Sequence, residues 1–469
     1  MLLVMILNLA ASFMLYGYFY LKECYDDVTL FELVYYAKMP LKGGNKGPFL
    51  GELPRTIAII FGSLIYSASL FSLLRHMGFT RGFVMAIGSA LALLIIAADT
   101  AVLCRHFHVG EFLKLHRQYS DLYEKEYVDP RKVKLTFPEK KRNLIYIMLE
   151  SMETCYHSET GDDFIPELAS LAREGADFSE DEELGGAYAV PGATFTTGAM
   201  IAHMAGISVD LAIKEDERFI PGMCTIGDIL ASQGYEQVFM LGSDAVFGAR
   251  DAMMQQHGNY RIFDYRSAQR DGHIPEDYYI WWGFEDEKLF DFAKKELKDL
   301  ASKDKPFNLT LLTVDTHFLN GCPCRLCQKK FREQYGNVLA CSSRQVSGFI
   351  DWIKQQDFYK DTAIVLCGDH PTMDSGFIKR SHLTHRERKA YVSFMNVPGN
   401  LKERPRRYTT TDLFPTTLRA MGVEIEGDRL GLGTDLFSER ETLLESMGAE
   451  KLGEEFTKRS KFYRDELLP

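Results

Sequence analysis

Asn143-Leu144-Ile145-Tyr146-Ile147-Met148-Leu149-Glu150-Ser151 carries six apolar residues in a row and then stops at a carboxylate. Behind the basic Lys140-Lys141-Arg142, so short a run reads as a strand covered on both faces. Open parallel sheets place their chemistry just beyond the carboxyl ends of such strands, so Glu150 stands where a first functional residue is expected. The plain alternative is a solvated residue in a strand-to-helix turn. A second run far downstream, Thr362-Ala363-Ile364-Val365-Leu366-Cys367-Gly368-Asp369-His370, ends the same way. A carboxylate beside an imidazole is a common metal-ligand pairing, and two strand ends of one parallel sheet can point at one place. Glu150, Asp369 and His370 are therefore candidate ligands of one divalent ion. A buried carboxylate cluster without a cation would cost several kcal/mol per charge.

The chain's 469 residues exceed one compact core, so a membrane part and a soluble part are expected. A net charge of −11, from 54 Lys+Arg against 65 Asp+Glu, offers no basic stripe, and nucleic acid is excluded as a partner. No Gly/Ser linker, low-complexity tract or internal repeat stands out. Three apolar runs, Met1 to Leu21, Thr56 to Leu74 and Phe83 to Leu103, cluster at the start, the last broken only by Asp99. Each has about the 20 residues that cross a bilayer. The first lacks a basic leading segment and a small-residue cleavage site, so it reads as an anchor rather than a cleaved signal. Charge alone does not fix the orientation. Arg75 and Arg81 favour a cytoplasmic turn, whereas Lys22, Lys38, Lys42, Lys46 and Arg55 crowd the other loop. The orientation adopted puts the N-terminus inside and everything after residue 105 outside.

The expected organisation is a transmembrane region over 1–104, a juxtamembrane connector over 105–142, a catalytic domain over 143–440 and a charged helical tail over 441–469. In the connector, Gly110 to Glu126 has the pattern of one helix that lies on the membrane surface or packs conventionally. Beyond Asn143, helices are expected at Phe164–Arg173, Phe195–Met204, Thr225–Gln233, Glu285–Ser302, Ser342–Gln355 and Thr411–Met421. Strands are expected at Gln237–Leu241, Phe307–Val314 and Ala390–Asn396. This alternation predicts an α/β fold, a mostly parallel sheet flanked by helices.

A metal with hard oxygen ligands can activate a hydroxyl. The candidate stretch is Val190-Pro191-Gly192-Ala193-Thr194-Phe195-Thr196-Thr197-Gly198-Ala199-Met200, a turn leading into a helix. A threonine there sits at a helix N-terminus, where N–H groups favour an anionic oxygen. Helix capping is the ordinary job of such threonines. The residues by themselves do not choose among Thr194, Thr196 and Thr197.

Taken as a set, these motifs resemble the phosphoglycerol transferases of the alkaline phosphatase superfamily, which include the lipoteichoic acid synthases and the enzymes that add phosphoglycerol to periplasmic glucans. The resemblance rests on Ile145 to Glu153, Pro191-Gly192, Phe195-Thr196 and Gly198-Ala199-Met200. Trp282-Gly283-Phe284, Leu312-Thr313-Val314-Asp315-Thr316-His317 and Gly368-Asp369-His370 complete it. It runs from about Asn143 to past His370 and is nearest the glucan-modifying branch. It implies that Glu150, Asp369 and His370 bind a metal, usually manganese, with magnesium or zinc as alternatives. It implies Thr196 as nucleophile and fourth ligand, with Thr194 as the alternative. His317 and Arg250 are similar to residues that contact the substrate phosphate. Read as ordinary residues, His317 is a structural histidine and Arg250 pairs with Asp251, for little gain.

The implied activity is transfer of phosphoglycerol from phosphatidylglycerol to an extracytoplasmic glycan or polymer through a covalent phospho-threonine. The implied location is a bacterial cell membrane with the catalytic domain outside. Two rivals remain. One is a phosphoethanolamine transferase or another phosphodiesterase or hydrolase of the sulfatase superfamily; the Cys-x-Pro-x-Arg setting of a sulfatase is absent, since Cys322-Pro323-Cys324-Arg325 has the wrong order and place. The other is a non-catalytic membrane-anchored glycan- or lipid-binding protein. Four of the nine cysteines lie between Cys322 and Cys341. Their spacing loosely suits a structural zinc site, although the paired Cys-x-x-Cys pattern is incomplete. Disulfides are the outcome expected outside the cytoplasm, and the resemblance implies a Cys327–Cys341 bridge.

Overall fold

The computed structural model describes residues 2–24, 28–39, 42–44, 51–179, 184–213 and 218–469. Asn143–Leu149 (β1) is the middle of a seven-stranded sheet. The other strands are Gly186–Ala187 (β2), Glu236–Leu241 (β3), Arg261–Phe263 (β4), Phe307–Leu312 (β5), Thr362–Gly368 (β6) and Ala390–Met395 (β7). Their order across the sheet is β2-β7-β6-β1-β5-β3-β4. β1 pairs in parallel with β5 and β6, and β3 pairs in parallel with β4 and β5. Residues 144–149 are 0–1% exposed, which is why the run shows no polar alternation. Ile145, Ile147 and Leu149 join a core built from Pro166–Glu174, Asp286–Ala301 and Gln334–Lys354. On the opposite face lies Thr196–Ala205, whose His203 Nδ1 is 3.4 Å from Cys367 Sγ of β6.

The sheet is mostly parallel, as expected, and its antiparallel pairings lie toward one edge. β7 runs antiparallel to β6, and β2 antiparallel to β7. A buried apolar run has the same pattern in either direction, so only the connection fixes it. The connector is not one helix from Gly110 to Glu126. It breaks into Val109–His116 and Leu122–Glu126 around Tyr119–Ser120, which pairs in parallel with Arg459–Ser460. Ser120 Oγ accepts from Leu122 N at 3.1 Å and donates to Glu455, so a local hydroxyl cap competes successfully with helix continuation. The residues beyond 440 are folded in as well, with Leu443, Leu452, Phe456, Tyr463 and Leu467 buried. Buried Arg406 reaches Glu445 at 2.8 Å. The charge of this segment sits on one side of short helices and conceals an apolar side.

The chain divides into two compact units. The first comprises 1–30 and 45–114. Its helices Leu2–Cys24, Leu53–His76 and Arg81–His106 each contain a span long and apolar enough to cross a membrane. Asn8 Nδ2 donates to Ser67 Oγ at 2.9 Å within this unit. The second comprises 31–44 and 115–469, so part of the loop between the first two long helices belongs with the sheet. Lys38 there donates to Leu211 O.

Candidate metal and nucleophile site

Parallel pairing brings the ends of β1, β3, β5 and β6 to one edge of the sheet. Glu150 follows β1 and Asp369-His370 follows β6, with Leu149 in register with Gly368. A Cβ on Gly368 would lie 1.9 Å from Met152 O, so only glycine lets the two strand ends close together. Ser151 takes a left-handed φ of 52°, which turns the chain sharply after Glu150. One ligand atom each from Glu150, Asp369 and His370 lies within 4.8 Å of the others, and all three residues are buried. His370 Nε2 is 3.7 Å from Glu150 Oε1 and 3.4 Å from Asp369 Oδ2. His370 Nδ1 is held by Pro371 O at 2.9 Å, which directs the lone pair of Nε2 toward the carboxylates.

The polar accounting fits a cation. Asp369 Oδ1 accepts from Ser151 N at 2.8 Å and His370 N at 2.7 Å, while buried Asp369 Oδ2 has no hydrogen-bond partner. Burial, and then Glu150, push Asp369 up to about 7. Burial by itself lowers His370, but Asp369 and Glu150 outweigh it and hold the imidazole above its usual value. Two hard carboxylates, one imidazole nitrogen and an orphaned oxygen form a donor set for a small divalent ion. A bound cation would reverse the repulsion that raises Asp369.

Thr196 opens the helix Thr196–Ala205 and is half-buried. Its Oγ1 donates to Glu150 Oε2 at 3.4 Å. The neighbouring threonines are committed elsewhere: Thr194 donates to Glu32, and Thr197 donates to Gly248 O at 3.1 Å. The turn before this helix is tight enough that a Cβ on Gly198 would meet Gly192 O at 2.2 Å.

His317 and Arg250 both feel the charge of Glu150. The segment 314–317 is fixed by Asp286, which accepts from Val314 N at 2.8 Å and Asp315 N at 3.1 Å. Burial raises Asp286 to about 7, and burial with Asp286 raises Asp315 well above the usual carboxylate range. His317 packs on Trp282 with ring centres 4.7 Å apart, and its Nδ1 meets Phe318 O at 2.6 Å. Burial lowers His317 below its ordinary value despite the opposing pull of Glu150. Arg250 is buried and bonds its own loop rather than Asp251: Nε to Phe247 O at 2.9 Å, Nη2 to Asp244 O at 2.8 Å and to Ser243 Oγ at 3.2 Å. Burial lowers it, with Tyr36 and Glu150 acting in the opposite sense.

The sulfatase family profile matches residues 142–423, more than half of the chain and every residue of this cluster. The chain belongs to the sulfatase family. It is 30% identical over 367 residues to the phosphoglycerol transferase I of Escherichia coli (strain SMS-3-5 / SECEC), covering 75% of this chain and 46% of that protein. It is 30% identical over 400 residues to the phosphoglycerol transferase I of Shigella boydii serotype 18 (strain CDC 3083-94 / BS512), covering 81% and 50%. The chain thus spans about half the length of these curated relatives. The lipoteichoic acid synthase LtaP from Listeria monocytogenes superposes with a TM-score of 0.51 at 17% identity, covering 66% of this chain and 79% of that one. The lipooligosaccharide phosphoethanolamine transferase A (EptA) from Neisseria meningitidis gives 0.51 at 14%, covering 86% and 81%. At such identities the likeness is one of fold.

This sulfatase-family core is completed by residues from outside the matched region, which sequence reasoning missed. Leu30–Lys38 is a helix whose Glu32 accepts from Thr194 and whose Tyr35 OH donates to Gly248 O at 3.4 Å. Tyr35 also packs on Phe195, ring centres 4.5 Å apart, and Tyr36 stacks on Phe247 at 5.7 Å. The available signal was Phe31, Val34 and Tyr35 at helical spacing.

A further brace lies behind the cluster. Glu153, fully buried, takes Arg388 Nη2 at 2.7 Å and Nε at 2.8 Å, and accepts from Thr372 N at 2.8 Å. Arg388→Ala strands that carboxylate, so we expect a loss of about 3–5 kcal/mol, measured by urea unfolding of the detergent-solubilised protein.

Proposed function

We propose that the protein transfers phosphoglycerol from phosphatidylglycerol to a hydroxyl of a glycan or polymer, with Thr196 as the nucleophile. The observation that carries this reading is the Thr196 hydroxyl 3.4 Å from Glu150, a residue that Asp369 and His370 join in a cluster able to hold a metal ion. The 30% identity to phosphoglycerol transferase I supports the group transferred. A divalent metal, with manganese preferred over magnesium or zinc, would be held by Glu150, Asp369, His370 and Thr196, and would supply charge that lowers the hydroxyl pKa.

Thr196 Oγ forms a bond to phosphorus as the bond from phosphorus to the diacylglycerol oxygen breaks. The proton of Thr196 ends on that oxygen, and diacylglycerol leaves as the alcohol. The phosphoglyceryl-threonine is then attacked by an acceptor hydroxyl, whose proton returns to Thr196. His317, neutral and with Nδ1 engaged at Phe318 O, presents Nε2 to carry the proton in each half. Arg250 supplies fixed positive charge facing the phosphodiester. The three long apolar helices keep the site near a lipid donor, and the catalytic unit is assigned to the outer face of a bacterial membrane. The test is incubation of the purified protein with phosphatidylglycerol vesicles. Release of diacylglycerol supports the reading, and vesicles left intact in the presence of manganese and a glucan acceptor oppose it.

A further inference from the structure

Away from the catalytic cluster, three thiols stand at a spacing that a disulfide does not explain. Cys324 Sγ lies 3.8 Å from Cys327 Sγ and 3.7 Å from Cys341 Sγ, and the three sulfurs fall within 4.8 Å of one another. A disulfide places its sulfurs about 2.05 Å apart. Thiolates at about 2.3 Å from a tetrahedral zinc are about 3.8 Å from each other along the edges of the tetrahedron. The observed distances match the second arrangement. All three cysteines are unbridged, and Cys324 lies between the two that the family resemblance would join.

We propose that Cys324, Cys327 and Cys341 hold a structural zinc ion. The local backbone is suited to it. Cys327 N donates to Cys324 O at 3.1 Å, closing a tight turn that carries two ligands. Cys341 comes from the helix Gln334–Lys354 and is buried. One turn later, Gln345 points Nε2 at Cys341 Sγ at 3.4 Å and at Cys324 Sγ at 3.8 Å. Such N–H contacts orient thiolates and stabilise their charge from outside the ligand set. Three thiolates leave one tetrahedral position, for which Cys322 is the nearest further cysteine in sequence.

The site has a structural consequence for the substrate loop. Cys322 N donates to Asp315 O at 2.7 Å, and Tyr335 OH of the same helix donates to Thr316 O at 2.8 Å. A zinc ion between Cys324, Cys327 and Cys341 would pin the far end of the loop that starts at His317 to the helix that already holds its near end. His317 would then be positioned by a metal distinct from the one at Glu150.

The test uses the full chain purified in detergent without added metal or reductant. Elemental analysis should find about one zinc per chain that persists in Asp369→Asn and in Cys224→Ser but is lost in Cys324→Ser and Cys341→Ser. Cobalt exchanged into the wild type should give a thiolate charge-transfer band in the near ultraviolet that both of those cysteine variants lack. Should those variants fail to fold, the wild type decides alone through alkylation of the unfolded chain. Reduced Cys324, Cys327 and Cys341 together with bound zinc support the site. A Cys327–Cys341 disulfide-linked peptide, or zinc content unchanged in a folded Cys324→Ser protein, overturns it.

Discussion

Replacing Thr196 with alanine is expected to lower diacylglycerol release by about 10³-fold or more, because covalent catalysis has no route without the attacking oxygen. The fold should tolerate the change. Thr196 is half-buried, its hydroxyl makes its contact with Glu150, and Phe195 rather than Thr196 occupies the N-cap. Stability should therefore shift by about 0.5 kcal/mol or less. Thr196→Ser restores an oxygen at the same place and should recover part of the rate. Thr194→Ala removes a bond to Glu32, and Thr197→Ala removes one to Gly248 O, so both should act on helix placement and leave a measurable rate. Labelled phosphatidylglycerol distinguishes these outcomes, and mass analysis of the trapped protein should find phosphoglycerol on the peptide containing Thr196. Full activity in Thr196→Ala with loss in Thr194→Ala would move the nucleophile two residues upstream.

Much of this site was legible in the sequence for one physical reason. Central parallel strands are buried on both faces, so they appear as unbroken apolar runs, and the first polar residue after each run marks the functional edge. That logic groups Glu150, Asp369 and His370 from the sequence alone. It does not separate Thr194, Thr196 and Thr197, because three threonines in four positions differ only in where the helix starts, and element ends are weakly encoded. The resemblance to a known family supplies Thr196. Glu32, Tyr35 and Tyr36 were hidden for a different reason. They lie between two apolar runs, in a segment read only as a charged loop, and their partners Thr194, Phe195 and Phe247 are more than 150 residues away. Nothing local signals a contact of that separation. The direction of β7 and the break at Tyr119–Ser120 were likewise decided by tertiary pairing.

Asp369→Asn should divide stability from metal binding. In metal-free protein, burial and Glu150 hold Asp369 at about 7, far above the about 3.9 of an unfolded aspartate. Between those values the folded state binds more protons than the unfolded state, so stability falls as pH rises. His370, also raised by these carboxylates, adds to the fall in the same direction, since its protonated form is favoured in the folded protein. The metal-free wild type should thus be most stable on the acid side of pH 7 and lose on the order of a few kcal/mol by pH 8. Asparagine keeps an oxygen for Ser151 N and His370 N and replaces the carboxylate oxygen that accepts no hydrogen bond with an uncharged amide. The metal-free variant should therefore exceed the wild type in stability at pH 8 and show a flatter pH profile. Manganese should do the reverse. At about 100 times its dissociation constant it should stabilise the wild type by about 2.7 kcal/mol, more strongly as pH rises because its ligands must be deprotonated, and it should leave Asp369→Asn nearly unchanged. Thermal unfolding between pH 5 and 8, with chelator and with manganese, measures both effects. A variant less stable than the metal-free wild type at pH 8, or one still stabilised by manganese, would show that Glu150 and Asp369 do not share a cation.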